Sequence, residues 1–177
     1  LIMRTFIAAD LPEDAKKALA EAQKEIKAAK ASFAKDFHLT LKFLGEITPQ
    51  QLETVKHCLA GVKFKKFTAA LNSIGVFPSE TYIRVVWVGL KPEEEMLQLQ
   101  KLVDEELEKE FRKEKGFKPH ITLARIKFVA EKEMFLQQLR EIKVKKVAFS
   151  VESFKLKKST VTSKGPIYED LAVYELQ

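Results

Sequence analysis

The sequence predicts one domain of mixed helices and strands with two lobes, because the same order of elements occurs twice along the chain. Strand-like and helix-like hydrophobic patterns alternate over about residues 4–78 and do so again over about 82–158. The segment VKFKKF at 62–67 returns 80 residues later as IKVKKV at 142–147. No stretch rich in Gly, Pro or Ser separates the halves. We therefore expect two internal repeats packed as one bilobal domain.

The first repeat predicts a strand, a helix, a strand, a helix and a strand. Its first strand ends at the sequence DLPE, and the following helix has an apolar stripe formed by Ala15, Leu19, Ala22 and Ile26. A turn at Gly45 leads into the second helix. The predicted segments are a strand at 4–9, the helix with this stripe, a strand at 37–43, a helix at about 49–59 and a strand at 66–76.

The second repeat predicts the same order, with LKPE at 90–93 in place of DLPE. Its predicted segments are a strand at 82–89, a helix ending near 111, a strand near 120–125, a helix at 131–142 and a strand at 146–155. A last pair of strands, around 151–159 and 166–176, closes the chain.

The composition indicates a chain that folds by packing alone and carries excess positive charge. Its 177 residues are 46% apolar, which is enough for a sizeable core. No apolar run approaches the ~20 residues of a membrane helix, so we expect a cytoplasmic protein without membrane contact. With one cysteine and three histidines, we expect no disulfide, no metal and no cofactor. The net charge of +6 favours polyanionic partners such as nucleic acids.

Two of the three histidines stand in the same pattern, HLTL at 38–41 and HITL at 120–123. Side chains alternate between the two faces of a strand, so His38 shares a face with Thr40, and His120 shares a face with Thr122. The intervening residues are apolar and point the other way. If the repeats face each other about a twofold axis, the four polar side chains meet in one cleft.

Two imidazoles and two hydroxyls in one cleft are suited to attack on a phosphorus atom. Imidazoles with an unperturbed pKa near 6.5 can act as one base and one acid at neutral pH. Threonine hydroxyls can donate hydrogen bonds to phosphate oxygens. The alternative is a pair of structural histidines copied by duplication. His57 lacks a threonine partner and is expected to be a solvated or half-buried helix residue, and Cys58 a small core residue.

These motifs resemble those of the two-histidine phosphoesterase superfamily, and more narrowly of the bacterial and archaeal RNA 2′,3′-cyclic phosphodiesterases, also called 2′-5′ RNA ligases. The resemblance runs nearly from end to end. Its segments are RTFIAADLP at 4–12, FHLTLKFLGE at 37–46, VWVGL at 86–90, PHITLAR at 119–125 and GPIYE at 165–169. The paired motifs are typical of the superfamily, and the flanking segments are typical of this branch.

The resemblance implies an α+β fold in which antiparallel sheets of two related lobes line a V-shaped cleft, with the helices outside. It also implies hydrolysis of RNA 2′,3′-cyclic phosphates to 2′-phosphates and, in some members, reversible joining of tRNA halves by a 2′-5′ linkage. By analogy, His120 is expected to be the base that activates water and His38 the acid that protonates the 3′ oxygen. The expected partners are RNA ends or tRNA halves, bound by a monomer. Whether a nucleotide triphosphate assists ligation stays open.

Three further residues are candidates for substrate binding. Strict alternation puts Lys42 on the face of His38, where it either neutralises phosphate or remains a solvated lysine. Arg125 resembles the arginine of the family pattern His-x-Thr-x-x-Arg. Alternation turns it away from His120 unless the strand twists or ends, and a structural ion pair is the alternative. Tyr168 is expected to pack the closing strand, with stacking on a base as the alternative.

Two other functions would use the same cleft. A phosphodiesterase for small cyclic nucleotides needs the same four catalytic residues, whereas a non-catalytic module would bind RNA ends without turnover. Groups of lysines, such as those at 63–66 and 143–146, favour RNA over small nucleotides.

Overall fold

The computed structural model describes residues 1–177 and contains nine strands and four helices. In chain order these are β1 (Met3–Ala9), α1 (Glu13–Lys24), β2 (Lys30–Phe33), β3 (Leu39–Ile47), α2 (Pro49–Ala60), β4 (Phe67–Ser79), β5 (Tyr82–Lys91), α3 (Glu94–Leu107), β6 (His120–Phe128), α4 (Lys132–Glu141), β7 (Ala148–Val151), β8 (Ser153–Thr162) and β9 (Gly165–Glu175).

The strands form two antiparallel sheets, which confirms the predicted α+β class. The first sheet has the order β3-β1-β8-β9, and the second has the order β2-β6-β5-β4-β7. Each sheet contains the same three-strand unit, β3-β1-β8 in the first and β6-β5-β4 in the second. Because β4 belongs to the first repeat and β8 to the second, each repeat contributes a long strand to the sheet of the other.

Strands β4 and β7 pair between the two repeats. Phe67 lies opposite Val151, and Ala70 lies opposite Ala148. Phe67 and Ala148 are 81 residues apart in the sequence, and so are Ala70 and Val151, so the partner of each residue is the equivalent of the other residue's position. A local twofold axis produces this relationship. The axis relates the strand that begins with His120 to the strand that follows His38.

The helices pack on the sheets through one continuous core of 40 buried residues. In α1 the buried residues are Ala15, Ala18, Leu19 and Ala22, close to the predicted stripe. Helix α2 begins with a capping box: Thr48 accepts a hydrogen bond from the backbone of Gln51, whose side chain accepts one from the backbone of Thr48. This cap fixes the exit of the chain from β3. None of the four helices combines the length and the apolar character needed to cross a membrane.

Strand β2 was not predicted. Its four residues, KASF, follow an Ala- and Lys-rich stretch that has no alternating pattern. The strand forms at the sheet edge because its backbone pairs with β6, from Phe33 opposite Ala124 to Lys30 opposite Phe128. Pairing with a distant partner overrides the local preference.

Candidate active site

The two His-x-Thr motifs lie where the sheets approach each other. His38 immediately precedes β3, and His120 is the first residue of β6. Cα atoms of these two strands come within 8 Å of each other. The predicted alternation holds within each motif: the buried residues are Leu39, Leu41, Ile121 and Leu123, and the half-buried residues are His38, Thr40, His120 and Thr122.

The imidazole of His38 is enclosed by two aromatic rings and a carboxylate. The ring of Tyr168 meets it edge to face with a centroid distance of 4.8 Å, and the ring of Phe6 does so at 5.7 Å. Nε2 of His38 lies 3.4 Å from Oδ2 of Asp36. The other oxygen of Asp36 pairs with Nζ of Lys16 at 2.9 Å. The carboxylate is thus anchored on α1 and presents negative charge to the imidazole.

The imidazole of His120 is held by different contacts. Its Nδ1 lies 2.7 Å from the carbonyl oxygen of Lys118. Because a carbonyl can only accept, Nδ1 carries the proton in this hydrogen bond. The rings of Phe77 and Trp87 pack against the imidazole with centroid distances of 4.8 and 6.0 Å. In the neutral ring the lone pair is therefore on Nε2, as a general base requires.

Asp36 and Lys118 are equivalent residues, each two positions before its histidine. In the first repeat the side chain touches the imidazole, whereas in the second the backbone carbonyl does so. The side chain of Lys118 pairs instead with Glu93 at 2.5 Å. The two repeats therefore place different groups beside otherwise similar histidines, a carboxylate beside His38 and a backbone carbonyl beside His120.

Burial is the main influence on His38 and lowers its pKa below the ordinary value of 6.5. The carboxylates of Asp36 and Asp10 oppose this shift, because they stabilise the protonated ring. The cations of Lys157 and Lys16 reinforce the shift. His38 is thus a half-buried imidazole whose protonated form is supported by two nearby carboxylates.

Burial also lowers the pKa of His120 below 6.5. The hydrogen bond to Lys118 opposes this shift, and the positive charge of Arg125 reinforces it. A nearby cation therefore disfavours protonation of His120. This is the opposite of the effect that Asp36 has on His38.

A β-bulge brings Arg125 towards the catalytic face. Trp87 pairs with Thr122 and Val86 pairs with Ala124, so Leu123 is an extra residue in β6. The strand therefore departs from regular alternation, as a cleft position for Arg125 requires. The side chain is exposed, and its positive charge contributes to lowering the pKa of His120 and opposes the rise in the pKa of Tyr168.

The equivalent bulge in β3 turns Lys42 away from His38. Ala8 pairs with Thr40 and Ile7 pairs with Lys42, so Leu41 is the extra residue. The prediction that Lys42 shares the face of His38 is wrong, because the bulge shifts the alternation by one residue. Lys42 is only 3% exposed.

The buried lysine ties β3 to α3 and to the chain that follows it. Nζ of Lys42 donates to Oδ1 of Asp104 at 2.5 Å and to the carbonyl oxygen of Arg112 at 2.7 Å. Asp104 also accepts from the side chain of Gln100 and from the backbone of Glu114. Lys42 is therefore a structural residue.

Phe43, which the sequence reasoning missed, takes the position beside the cleft that alternation gave to Lys42. Its ring is 60% exposed and lies 6.1 Å from the ring of Phe6, which in turn packs on His38. The available signal was the internal repeat: Phe43 follows His38 by five residues, as Arg125 follows His120.

Tyr168 reaches the same side of the cleft, because β9 pairs with β8 next to β1. Its half-buried ring packs on His38 and Phe6, with a centroid distance of 5.6 Å to Phe6. Burial and the charge of Asp36 raise the pKa of the phenol above its ordinary value.

A cluster of four charges, also not predicted, fixes the closing strand beside His38. Two lysines of β8 each contact two aspartates, one after β1 and one on β9, with N–O distances of 2.6 to 2.8 Å. The four residues are Asp10, Lys155, Lys157 and Asp170. Asp170 is two residues from Tyr168, so the cluster holds β9 where the tyrosine meets the imidazole.

The remaining histidine lies outside the site. His57 is exposed on α2, as predicted, and Cys58 beside it is half-buried and packs against the core. The structure contains no group of three or more His, Cys, Asp or Glu residues that could hold a metal ion.

Comparison with known proteins gives a family from the sequence and similar folds among solved structures. The family model "LigT like Phosphoesterase" matches twice, at residues 9–87 and 88–168. The crystal structure of TT0787 from Thermus thermophilus has a TM-score of 0.78 at 32% identity, over 98% of this chain and 97% of that one. The apo structure of Escherichia coli LigT, at 23% identity, has the same fold with a TM-score of 0.78, over 99% of this chain and 98% of that one.

Two archaeal proteins named RNA 2′,3′-cyclic phosphodiesterase are similar over nearly their whole length. The protein from Methanocaldococcus jannaschii is 34% identical over 94% of this chain and 97% of its own. The protein from Archaeoglobus fulgidus is 35% identical over 98% of this chain and 100% of its own. Together with the double match to the family model, these similarities show that the chain belongs to the LigT-like phosphoesterase family.

Proposed function

We propose that the chain is an RNA 2′,3′-cyclic phosphodiesterase that opens the cyclic phosphate at an RNA end to leave a 2′-phosphate. The observation that carries this proposal is the difference between the two histidines. His120 has its proton fixed on Nδ1 by a carbonyl, whereas His38 has a carboxylate beside Nε2. One ring is prepared to accept a proton and the other to donate one. The archaeal relatives named for this activity support the proposal.

In the first half of the reaction, Nε2 of His120 removes a proton from water. The resulting hydroxide attacks phosphorus and forms a new P–O bond. Hydroxyl groups of Thr40 and Thr122 donate to the non-bridging oxygens, and the positive charge of Arg125 stabilises the negative charge that develops on them. Acid or base assistance of this kind contributes roughly a hundredfold to ten-thousandfold for each group.

In the second half, the bond between phosphorus and the 3′ oxygen breaks. His38, protonated with the support of Asp36, gives its proton to that oxygen, so that the products are a 3′ hydroxyl and a 2′-phosphate. His120 ends the reaction protonated and His38 ends it neutral. A proton exchange with solvent restores both rings. Each step uses groups of the chain and water, so we propose that hydrolysis needs neither a metal ion nor a cofactor.

The exposed ring of Phe43 supplies the contact for the terminal base. Aromatic side chains stack on any nucleobase because every base has a π face. Phe43 lies beside Phe6, which touches His38, so a base stacked there is next to the reacting phosphate. This contact binds a nucleotide end without selecting one base.

The proposed partners are RNA ends. A 5′ hydroxyl of a second RNA can replace water as the attacking group, which would join two ends, such as tRNA halves, by a 2′-5′ linkage. Both motifs come from one chain, so a monomer suffices for activity, and the proposed setting is the cytoplasm. Ligation assays with and without a nucleotide triphosphate measure whether joining uses one.

The test is the conversion of oligonucleotides ending in 2′,3′-cyclic phosphate, with EDTA present. We expect a 2′-phosphate product from the wild-type protein and a loss of roughly a hundredfold or more in kcat for His38→Ala and His120→Ala. His57→Ala is the matched control and should keep full activity, since His57 lies on α2 away from the cleft.

Three results would contradict the proposal. Binding of phosphate ends without conversion would indicate a non-catalytic module. Turnover of small cyclic nucleotides with no turnover of RNA ends would indicate the alternative substrate class. Activity that disappears with EDTA would mean that the two imidazoles do not suffice.

A further inference from the structure

The outer ends of β5 and β6 form a groove of about 270 Å³ beyond the catalytic cleft. Its lining combines apolar and aromatic side chains with three cations. Its lining includes Tyr82, Arg84, Lys127, Phe128 and Lys132. Tyr82 is 52% exposed and Phe128 is 63% exposed, so both rings face solvent rather than the core.

The cations of this groove differ from those near His38. Arg84 lies 5.6 Å from the ring centre of Tyr82 and donates to its hydroxyl at 3.2 Å. Lys132 donates to the carbonyl oxygen of Thr81 at 3.1 Å. Neither of these cations, nor Lys127, has a carboxylate oxygen within 4.0 Å.

Around His38, by contrast, Lys16, Lys155 and Lys157 are all bound to aspartates. Glu80, a nearby acid on the tip between β4 and β5, is itself paired with Arg140 at 3.3 Å. The groove therefore keeps its positive charge available for an anion from outside the chain.

The groove lies at the outer end of the β5–β6 strand pair whose other end carries His120. Arg125 lies opposite Val85 in the β5–β6 pair, Arg84 is the next residue on β5, and Lys127 is two residues further along β6. From His120 to Lys127 the strand rises about 3.3 Å per residue, or roughly 23 Å in all. A ligand that occupies both sites must therefore be an extended polyanion that starts at the phosphate between the histidines.

We propose that this groove binds the single-stranded RNA segment on the 5′ side of the cyclic phosphate. The two exposed rings offer stacking faces for bases, and the unpaired cations neutralise backbone phosphates, the combination that single-stranded RNA binding uses. The inference rests on the proposed RNA substrate. It adds that substrate length, and not only the terminal nucleotide, sets catalytic efficiency.

The experiment compares a nucleoside 2′,3′-cyclic phosphate with oligonucleotides of increasing length that end in the same group. For the wild-type protein, kcat/KM should rise with length and should fall with added salt for the longer substrates. In Arg84→Gln/Lys127→Gln, kcat/KM for a 10-nucleotide RNA should fall about tenfold, with a shallower salt dependence. Turnover of the mononucleotide should not change. Phe128→Ser should lower kcat/KM for the 10-nucleotide RNA in the same way, without changing the net charge of the protein.

Lys17→Gln/Lys109→Gln is the control, because it removes the same charge from two exposed lysines, one on α1 and one just after α3. If it lowers the efficiency on long RNA as much as the groove variant does, overall charge rather than the groove binds the RNA, and the inference is wrong. An efficiency independent of length in the wild-type protein also overturns it. Absence of turnover on every cyclic phosphate would instead contradict the proposed function, so the two failures are distinct.

Discussion

Phe43 and Arg125 occupy equivalent positions in the two repeats, each five residues after its histidine and two after a bulged leucine. One half of the cleft therefore presents an aromatic ring where the other presents a cation. In the proposed reaction this difference separates two tasks, because the ring of Phe43 would stack on the terminal base and the guanidinium of Arg125 would bind the phosphate.

Phe43→Ala should raise KM for RNA ends while leaving kcat nearly unchanged. Stacking on a base contributes about 1–3 kcal/mol, so KM should rise roughly fivefold to a hundredfold. The contact is the same in the ground state and in the transition state, which is why kcat is spared. Steady-state kinetics on one oligonucleotide measure both constants. Phe43→Tyr keeps the ring and should behave like the wild-type protein; a fall in kcat with constant KM would contradict the assignment.

Asp36→Asn should move the basic limb of the kcat/KM profile to lower pH. The proposed mechanism needs protonated His38, so activity is lost as pH rises through the pKa of that ring. Burial lowers this pKa and Asp36 opposes the lowering. Without the carboxylate the pKa of His38 falls further, and the basic limb moves to lower pH with it. The acidic limb, which His120 sets, should stay in place.

Arg125→Gln should move the acidic limb of the kcat/KM profile to higher pH. His120 must be neutral, so activity appears as pH rises through its pKa, and the charge of Arg125 contributes to lowering that pKa. Removing the charge raises the pKa and shifts the acidic limb to higher pH, in addition to lowering kcat. If Asp36→Asn moved the acidic limb instead, the roles assigned to the two histidines would be reversed.

Lys42→Met should destabilise the fold much more than it changes catalysis. The substitution leaves Asp104 buried without its cation, and breaking such a pair costs about 3–5 kcal/mol. Urea unfolding measures the loss, while kcat per folded molecule should remain close to that of the wild-type protein. Lys65→Met, at an exposed lysine, should be nearly neutral. The double variant Lys42→Met/Asp104→Leu should recover part of the stability, because it removes both charges.

Gly75→Ala should lower kcat through the indole of Trp87. A Cβ atom at position 75 would lie 2.2 Å from Cη2 of Trp87, and this ring packs on His120. Relieving that overlap displaces the indole and costs about 1–3 kcal/mol of stability. Gly89→Ala, whose Cβ would lie 3.3 Å from the same ring, should have a smaller effect. Adding Trp87→Phe to Gly75→Ala should restore stability by making room.

The sequence predicted the order of elements and the position of the two motifs because these depend on short-range patterns. Alternation places His38 with Thr40 and His120 with Thr122, and both halves give the same pattern. The bulges at Leu41 and Leu123 do not have such a signal, since a bulge is defined by the partner strand.

For this reason the prediction from strict alternation was wrong just beyond the first motif. Lys42 lies in the core rather than in the cleft, and Phe43 was not identified. Asp36 was overlooked because a carboxylate two residues before a histidine has no distinctive pattern; only the fold shows that its Oδ2 faces Nε2. Strand β2 was missed for the same reason as the bulges, since it exists only through pairing with β6.

The exchange of β4 and β8 between the sheets bears on how such a protein can arise. A half-length ancestor could complete its sheet only by trading that strand with a second copy, so it would have acted as a homodimer with two identical histidines. In the present chain both copies lie on one polypeptide, so the exchange is intramolecular and the two copies can differ in sequence. Asp36 stands beside one imidazole and Arg125 near the other, a difference that the proposed acid and base require and that a symmetric dimer cannot encode.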